Sequence, residues 1–98
     1  MEPLFVYGTL RDADVQQRVY ERTIPGEPDV LPGYRKAQIW LDGAYYPIAI
    51  PDPDSEIDGL VLELTPEEMA RGDAYEGSEY RRLRVTLRSG LEAWVYCE

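Results

Sequence analysis

The sequence has 98 residues, enough for one domain, and its 19 acidic against 10 basic side chains give a net charge of −9. A chain this short buries roughly 60–65% of its unfolded surface, which excludes an elaborate two-domain active site, and the negative charge argues against nucleic acid or an anionic membrane as partner, since both need a basic patch. Histidine is absent and Cys97 is the single cysteine, so serine–histidine and cysteine–histidine nucleophiles, an intramolecular disulfide and the common histidine or cysteine metal sites are all excluded.

The chain opens on Leu4-Phe5-Val6-Tyr7, an apolar and aromatic run with the composition of a buried strand. It stops at Gly8, and Thr9-Leu10-Arg11-Asp12 leads into a helix-compatible stretch. A strand ending in a glycine turn before a helix leaves backbone N–H groups without strand partners, a corner suited to an anion or a developing oxyanion. Gly8 there permits a positive φ or a close approach to the backbone. The plainer reading is an ordinary βα connection with Thr9 as helix N-cap.

Residues 13–22 read as a helix with Val15, Val19 and Tyr20 on its apolar side. Two prolines and a glycine in residues 23–28 end it. Residues 30–41 read as extended with a bend at Pro32-Gly33, and Ala37, Ile39 and Leu41 alternate with polar or exposed positions. Asp42-Gly43 is a two-residue hairpin turn into the returning strand 45–50, where Pro47 requires a sheet edge or a bulge. Residues 51–55 read as a loop. The next strand spans 57–64, with Gly59 marking a bulge or a close approach. Thr65-Pro66-Glu67-Glu68 starts a helix, with Thr65 as N-cap, Pro66 at the first position and Glu68 closing a capping box. It runs to about Tyr75. Residues 80–88 and 91–97 form a C-terminal hairpin about Ser89-Gly90, with Leu83, Val85 and Leu87 on one face of the first strand and Ala93, Val95 and Cys97 on one face of the second.

This order predicts a single domain over residues 1–98 with an α+β fold, its mostly antiparallel strands curled towards a small β-barrel with two flanking helices. No stretch resembles a signal peptide or approaches the roughly 20 apolar residues of a membrane span, so a cytoplasmic protein is expected. Without histidine, acid–base chemistry in an enzyme lacking a cofactor falls to a carboxylate, or else to a tyrosine or to Lys36, the single lysine. No cofactor and no metal site are expected.

Among the carboxylates, Asp73 and Glu76 stand apart. They are three residues apart at the end of the second helix, with Gly77 placed to terminate it. The helix dipole opposes a charge at Glu76, and partial burial acts the same way, so both raise its pKa towards neutrality, as a general acid or base requires. The alternative is a surface pairing of Glu76 with Arg81 or Arg82.

Val6-Tyr7-Gly8-Thr9-Leu10, then Tyr46-Pro47, Asp58-Gly59, and Asp73-Ala74-Tyr75-Glu76-Gly77 followed by Tyr80-Arg81-Arg82 resemble the γ-glutamylcyclotransferase-like group, which includes γ-glutamylamine cyclotransferases and AIG2-like proteins, over essentially the whole chain. The resemblance implies an antiparallel barrel with a cavity at one end. It implies that Tyr7, Gly8, Thr9 and Leu10 bind the γ-glutamyl part of a small substrate, and that Glu76 is the acid–base residue in a cyclisation releasing an amine and 5-oxoproline. Backbone N–H groups of Gly8, Thr9 and Leu10 would hold the α-carboxylate or the carbonyl oxygen, and Tyr7, Tyr46 and Tyr80 are candidates for lining the pocket or for packing alone. The sequence departs from the family at Gly72, where members usually carry leucine; a glycine there is expected to loosen the helix and leave a core contact unfilled. It also stops at Glu98, where many members continue, so the leaving amine is not read from it. Three other readings stand beside this one: an amine-releasing acyl transfer on a specialised metabolite, a non-catalytic binder of a γ-glutamyl or amino-acid ligand, and an acidic interaction module.

Overall fold

A computed structural model of the chain describes residues 1–78 and 80–97, with Leu41 described for its backbone alone. The expected inward alternation at Leu41 and the terminal Glu98 lie outside the described residues. The elements run β1 (Glu2–Val6), a short 3-10 turn (Thr9–Arg11), α1 (Ala13–Tyr20), β2 (Gly26–Leu41), β3 (Ala44–Leu64), α2 (Pro66–Glu76), β4 (Arg81–Thr86) and β5 (Glu92–Cys97). This is an α+β fold with a single five-stranded sheet of order β2-β3-β1-β5-β4. Neighbours are antiparallel except β1 and β5, which pair in parallel through Leu4↔Trp94 and Phe5↔Val95.

β1 is central and has no polar alternation because both its faces are covered. Leu4 and Val6 point into a core shared with Leu10, Val15 and Tyr20 of the first helical segment and Met69 of α2. Phe5 and the following Tyr7 point the other way, into a core with Leu31, Ile57, Val61, Leu87, Ala93 and Val95 drawn from the remaining strands and their ends. The two helices therefore cover one face, while the sheet curls about the other into a half-barrel. The Arg88 N–H donates to the Val30 carbonyl at 2.9 Å, joining the end of β4 to β2. No helix among the described residues is long and apolar enough to cross a membrane.

Several local expectations are met for the stated physical reasons. Asp42 and Gly43 both take positive φ, 48° and 84°, as a twisted two-residue hairpin turn demands. A Cβ on Gly59 would stand 2.5 Å from the Val6 carbonyl oxygen and 2.6 Å from the Phe5 ring, so the close approach is real and forbids a side chain. α2 begins with the full capping box of Thr65 and Glu68 and with Pro66 in the first turn.

Other expectations change. α1 ends two residues early, at Tyr20, because Glu21 turns left-handed with φ 63°. The segment 51–55 is not a loop between strands: β3 runs through it, with 52–55 bulging opposite Gly33 between the pairs Pro32↔Glu56 and Tyr34↔Pro51. Asp52 holds the bulge by accepting from the Asp54 N–H and the Ser55 hydroxyl. Gly72 does not leave a void either. Its missing side chain makes room for the hydroxyls of Tyr96 and Tyr20, 2.9 and 3.0 Å from where a Cβ would stand.

Candidate active site

A cavity of about 340 Å³ opens where β1 ends. Its walls come from Tyr7, Gly8, Thr9 and Leu10, from Tyr46 and Pro47 on β3, from Tyr75 and Glu76 at the end of α2, and from Tyr80 and Tyr96. Tyr7, Gly8, Thr9, Leu10, Tyr46, Glu76 and Tyr80, the residues expected to form the site, thus all lie on this one cavity, whereas Asp73 does not line it. Ligand pockets span about 300–1,000 Å³, so the space suits a small molecule.

The turn after β1 is built differently from the expected N-cap. Thr9 starts a 3-10 turn, α1 starts after Asp12, and no side chain caps either segment. Thr9 Oγ1 instead shares a hydrogen bond of 2.8 Å with the Tyr75 hydroxyl, tying the turn to α2 across the cavity wall. Gly8 has φ −122°, so no positive φ is used. What matters is the missing Cβ, which would lie 3.0 Å from Pro47 Cγ. Within the turn the Arg11 and Asp12 N–H groups donate to the carbonyls of Gly8 and Thr9, whereas those of Gly8, Thr9 and Leu10 have no acceptor among the described residues. Three donors at one end of an apolar pocket form a place for an anionic oxygen.

Tyr7 and Tyr80 are anchored parts of the wall. The Tyr7 hydroxyl donates to the Tyr96 carbonyl at 2.7 Å, and burial pushes its pKa above the ordinary phenol range. The Tyr80 hydroxyl donates to the Pro47 carbonyl at 2.8 Å, on the edge of β3 that faces away from β2. Pro47 itself pairs only with Gln38 of β2, as its missing N–H allows. Tyr46 stands at the mouth, 43% exposed.

Asp73 and Glu76 have separate fates. Asp73 is held by Arg82, whose Nε and Nη2 donate to its two carboxylate oxygens at 2.7 and 3.1 Å, and by the Tyr96 hydroxyl at 2.7 Å. Arg82 in turn lies over the Trp94 ring, 4.9 Å from its centroid. Glu76 pairs with neither Arg81 nor Arg82; it has no hydrogen bond or ion pair among the described residues, and burial pushes its carboxyl up to about 7. Desolvation is the cause. The cavity wall carries two carboxyls, of Glu76 and Asp42, and no lysine or arginine among the described residues.

Tyr75, Tyr96 and Asp42 were not singled out from the sequence. The Asp42-Gly43 turn signal located Asp42 in the chain but not at the cavity. The contacts of Tyr75 with Thr9 and of Tyr96 with Tyr7 bridge distant segments and leave no local pattern.

Comparison with known proteins agrees with this architecture. The family described as "Gamma-glutamyl cyclotransferase, AIG2-like" matches residues 4–98. AIG2-like protein A of Arabidopsis thaliana is 37% identical over 85 residues, covering 86% of this chain and 50% of that protein. The chain spans about half the length of the curated relatives it matches. A solution structure of an Arabidopsis thaliana protein superposes with TM-score 0.82 at 31% identity, over 98% of this chain and 67% of that one. A gamma-glutamyl cyclotransferase structure superposes with TM-score 0.78 over 98% of this chain and 65% of that one; at 13% identity this likeness shows a shared fold alone. The family match over nearly the whole sequence, carried on the same curled sheet and helix pair, places this chain in the gamma-glutamyl cyclotransferase, AIG2-like family.

Proposed function

We propose that the protein cyclises a γ-glutamyl amine or γ-glutamyl amino acid to 5-oxoproline and releases the amine, with Glu76 as general acid and base and the segment Tyr7 to Leu10 holding the γ-glutamyl moiety. The substrate's α-nitrogen attacks its own γ-carbonyl carbon. One C–N bond forms, the amide C–N bond breaks, and one proton passes from the α-nitrogen to the departing nitrogen. No water is consumed and no protein nucleophile is needed, in keeping with a chain that has no histidine.

The observation that carries this reading is Glu76: a carboxyl without a hydrogen-bond or ion-pair partner among the described residues, on the wall of a small aromatic cavity, with its pKa pushed up to about 7 by burial. A group titrating near neutrality can take the proton from the α-nitrogen and return it to the leaving amine. The N–H groups of Gly8, Thr9 and Leu10, without acceptors among the described residues, complement a negative charge on a wall with no lysine or arginine among those residues, and suit the α-carboxylate or the carbonyl oxygen as it gains negative charge. Tyr7, Tyr46 and Tyr80 shape the space and fold the glutamyl chain towards attack, an orientation effect of several kcal/mol. The substrates in this reading are free small molecules, with no nucleic acid, membrane, metal or cofactor taking part.

The test is incubation with γ-glutamyl amino acids and γ-glutamyl-ε-lysine, with 5-oxoproline followed by mass spectrometry. Glu76→Gln should lower turnover by about 10²–10⁴-fold while the circular dichroism spectrum is unchanged. Because the carboxylate is the base, kcat/KM should climb as pH rises through about 7. Full activity in the Gln variant would sink the assignment.

A further inference from the structure

Gly72 lies one helical turn before Glu76 on the same face of α2. Its absent side chain leaves a gap entered by two phenol hydroxyls, those of Tyr96 and Tyr20, 2.9 and 3.0 Å from where a Cβ would stand. The Tyr96 hydroxyl donates to Asp73 Oδ1. The Tyr20 hydroxyl has no partner among the described residues, although the residue is only 2% exposed. A buried phenol ordinarily has a hydrogen-bond partner, so this orphan requires an explanation.

The geometry supplies one. Side chains on a helix generally lean back over the preceding turn, which for a residue at position 76 is the turn of Gly72, where the glycine itself adds no side chain and the Tyr20 hydroxyl lies. Burial pushes the Tyr20 phenol above its ordinary range, and Glu76 is foremost among the charges that add to it. The other groups around the carboxyl are already committed. Tyr7, just after β1, donates to the Tyr96 carbonyl, Tyr80 donates to the Pro47 carbonyl, and the Tyr75 hydroxyl is hydrogen-bonded to Thr9. Tyr46 lies in solvent at the mouth, and Asp42 brings a carboxyl rather than a donor. Of the remaining carboxylates that act on Tyr20, Asp73 is held by Arg82 and Glu68 by Arg22.

We propose that Tyr20 is a positioning residue for Glu76, its hydroxyl donating to the ionised carboxylate across the gap left by Gly72. The role rests on Glu76 as the acid–base group. It gives the glycine a purpose: leucine in its place would fill the gap and separate the two side chains. A hydrogen bond made only to the charged form stabilises that form. Tyr20 therefore draws the Glu76 carboxyl down and fixes its direction, opposing the desolvation that drives it up.

The experiment is a ¹³C NMR titration of the Glu76 side-chain carboxyl in the wild-type chain, Tyr20→Phe and Gly72→Ala. Tyr20→Phe removes one unpartnered oxygen, and the proposal expects the titration midpoint to rise by about half a pH unit or more. Gly72→Ala pushes the hydroxyls away from the helix and should move the midpoint the same way. An unchanged midpoint in Tyr20→Phe overturns the proposal; should that variant not fold, an unchanged midpoint in Gly72→Ala overturns it equally. A purely structural role for Tyr20 would alter melting temperature and leave the midpoint in place. The titration needs no substrate, so failure to form 5-oxoproline would count against the catalytic reading alone.

Discussion

Glu68 and Glu76 stand on one helix, about two turns apart, and their carboxyls are driven in opposite directions. Glu68 lies at the N-terminal end of α2, where it accepts from Arg22 Nε and Nη2 at 2.6 and 2.9 Å and from the Thr65 N–H at 2.9 Å. These partners, the Arg22 hydrogen bond foremost, hold it down at about 2. Glu76 is the last residue of the same helix, has no such partner among the described residues, and is pushed up to about 7 by burial. Desolvation pushes upward on both carboxyls, and at Glu68 the hydrogen bonds override it. Burial by itself therefore does not set the direction; the presence of partners decides whether a carboxyl at a helix end serves structure or remains available for proton transfer.

Removing partners at the first end should have the largest effect on stability. Glu68→Ala takes away the acceptor for Arg22 and one half of the capping box, and is expected to cost about 3 kcal/mol, read as a loss of melting temperature at pH 7. The wild-type chain should also lose this contribution with acid. Because the folded pKa of Glu68 lies below its ordinary value, its stabilisation is complete above pH about 4.5 and falls away as pH drops towards 2.

The opposite sign is expected at Glu76. Its folded pKa is raised, so ionisation costs stability progressively as pH climbs from about 4.5 to 7. Glu76→Gln abolishes that cost, and should be more stable than wild type by about 1–3 kcal/mol above pH 7 and equal to it below pH 4.5. A thermal melt series across that range checks the sign directly. A Gln variant less stable at pH 8 would mean that contacts to the ionised carboxylate outweigh its desolvation. The smallest effect belongs to Thr65→Ala, about 1 kcal/mol for the lost N-cap, which should leave the titration of Glu76 unmoved.

Much of this contrast was legible in the sequence because its parts are local. Thr65-Pro66-Glu67-Glu68 specifies a helix start within four residues, and Gly77 specifies its end. The Asp42-Gly43 turn, the alternation of Ala93, Val95 and Cys97, and the tight place at Gly59 were legible for the same reason. Resemblance to a family then drew together segments that periodicity could not relate, and Tyr7 to Leu10, Tyr46, Glu76 and Tyr80 do share one cavity.

What remained hidden depends on contacts between distant segments. Arg22 reaches Glu68 from 46 residues away, so Glu68 looked like a capping residue and nothing more. Thr9 resembled an N-cap because its link to Tyr75 spans 66 residues. Pro51-Asp52-Pro53-Asp54-Ser55 has the composition of a loop, yet β3 continues through it because β2 runs alongside on both flanks of the bulge. Gly72 read as a missing contact because the two tyrosines that reach into its place come from α1 and β5.

The measurement that bears most directly on Glu76 is the yield of 5-oxoproline from γ-glutamyl substrates, wild type beside Glu76→Gln, at pH 6 and pH 8. The account predicts product from the wild-type chain, more rapid at pH 8, and about 10²–10⁴-fold less from the variant at either pH. Equal yields from the two proteins would contradict it.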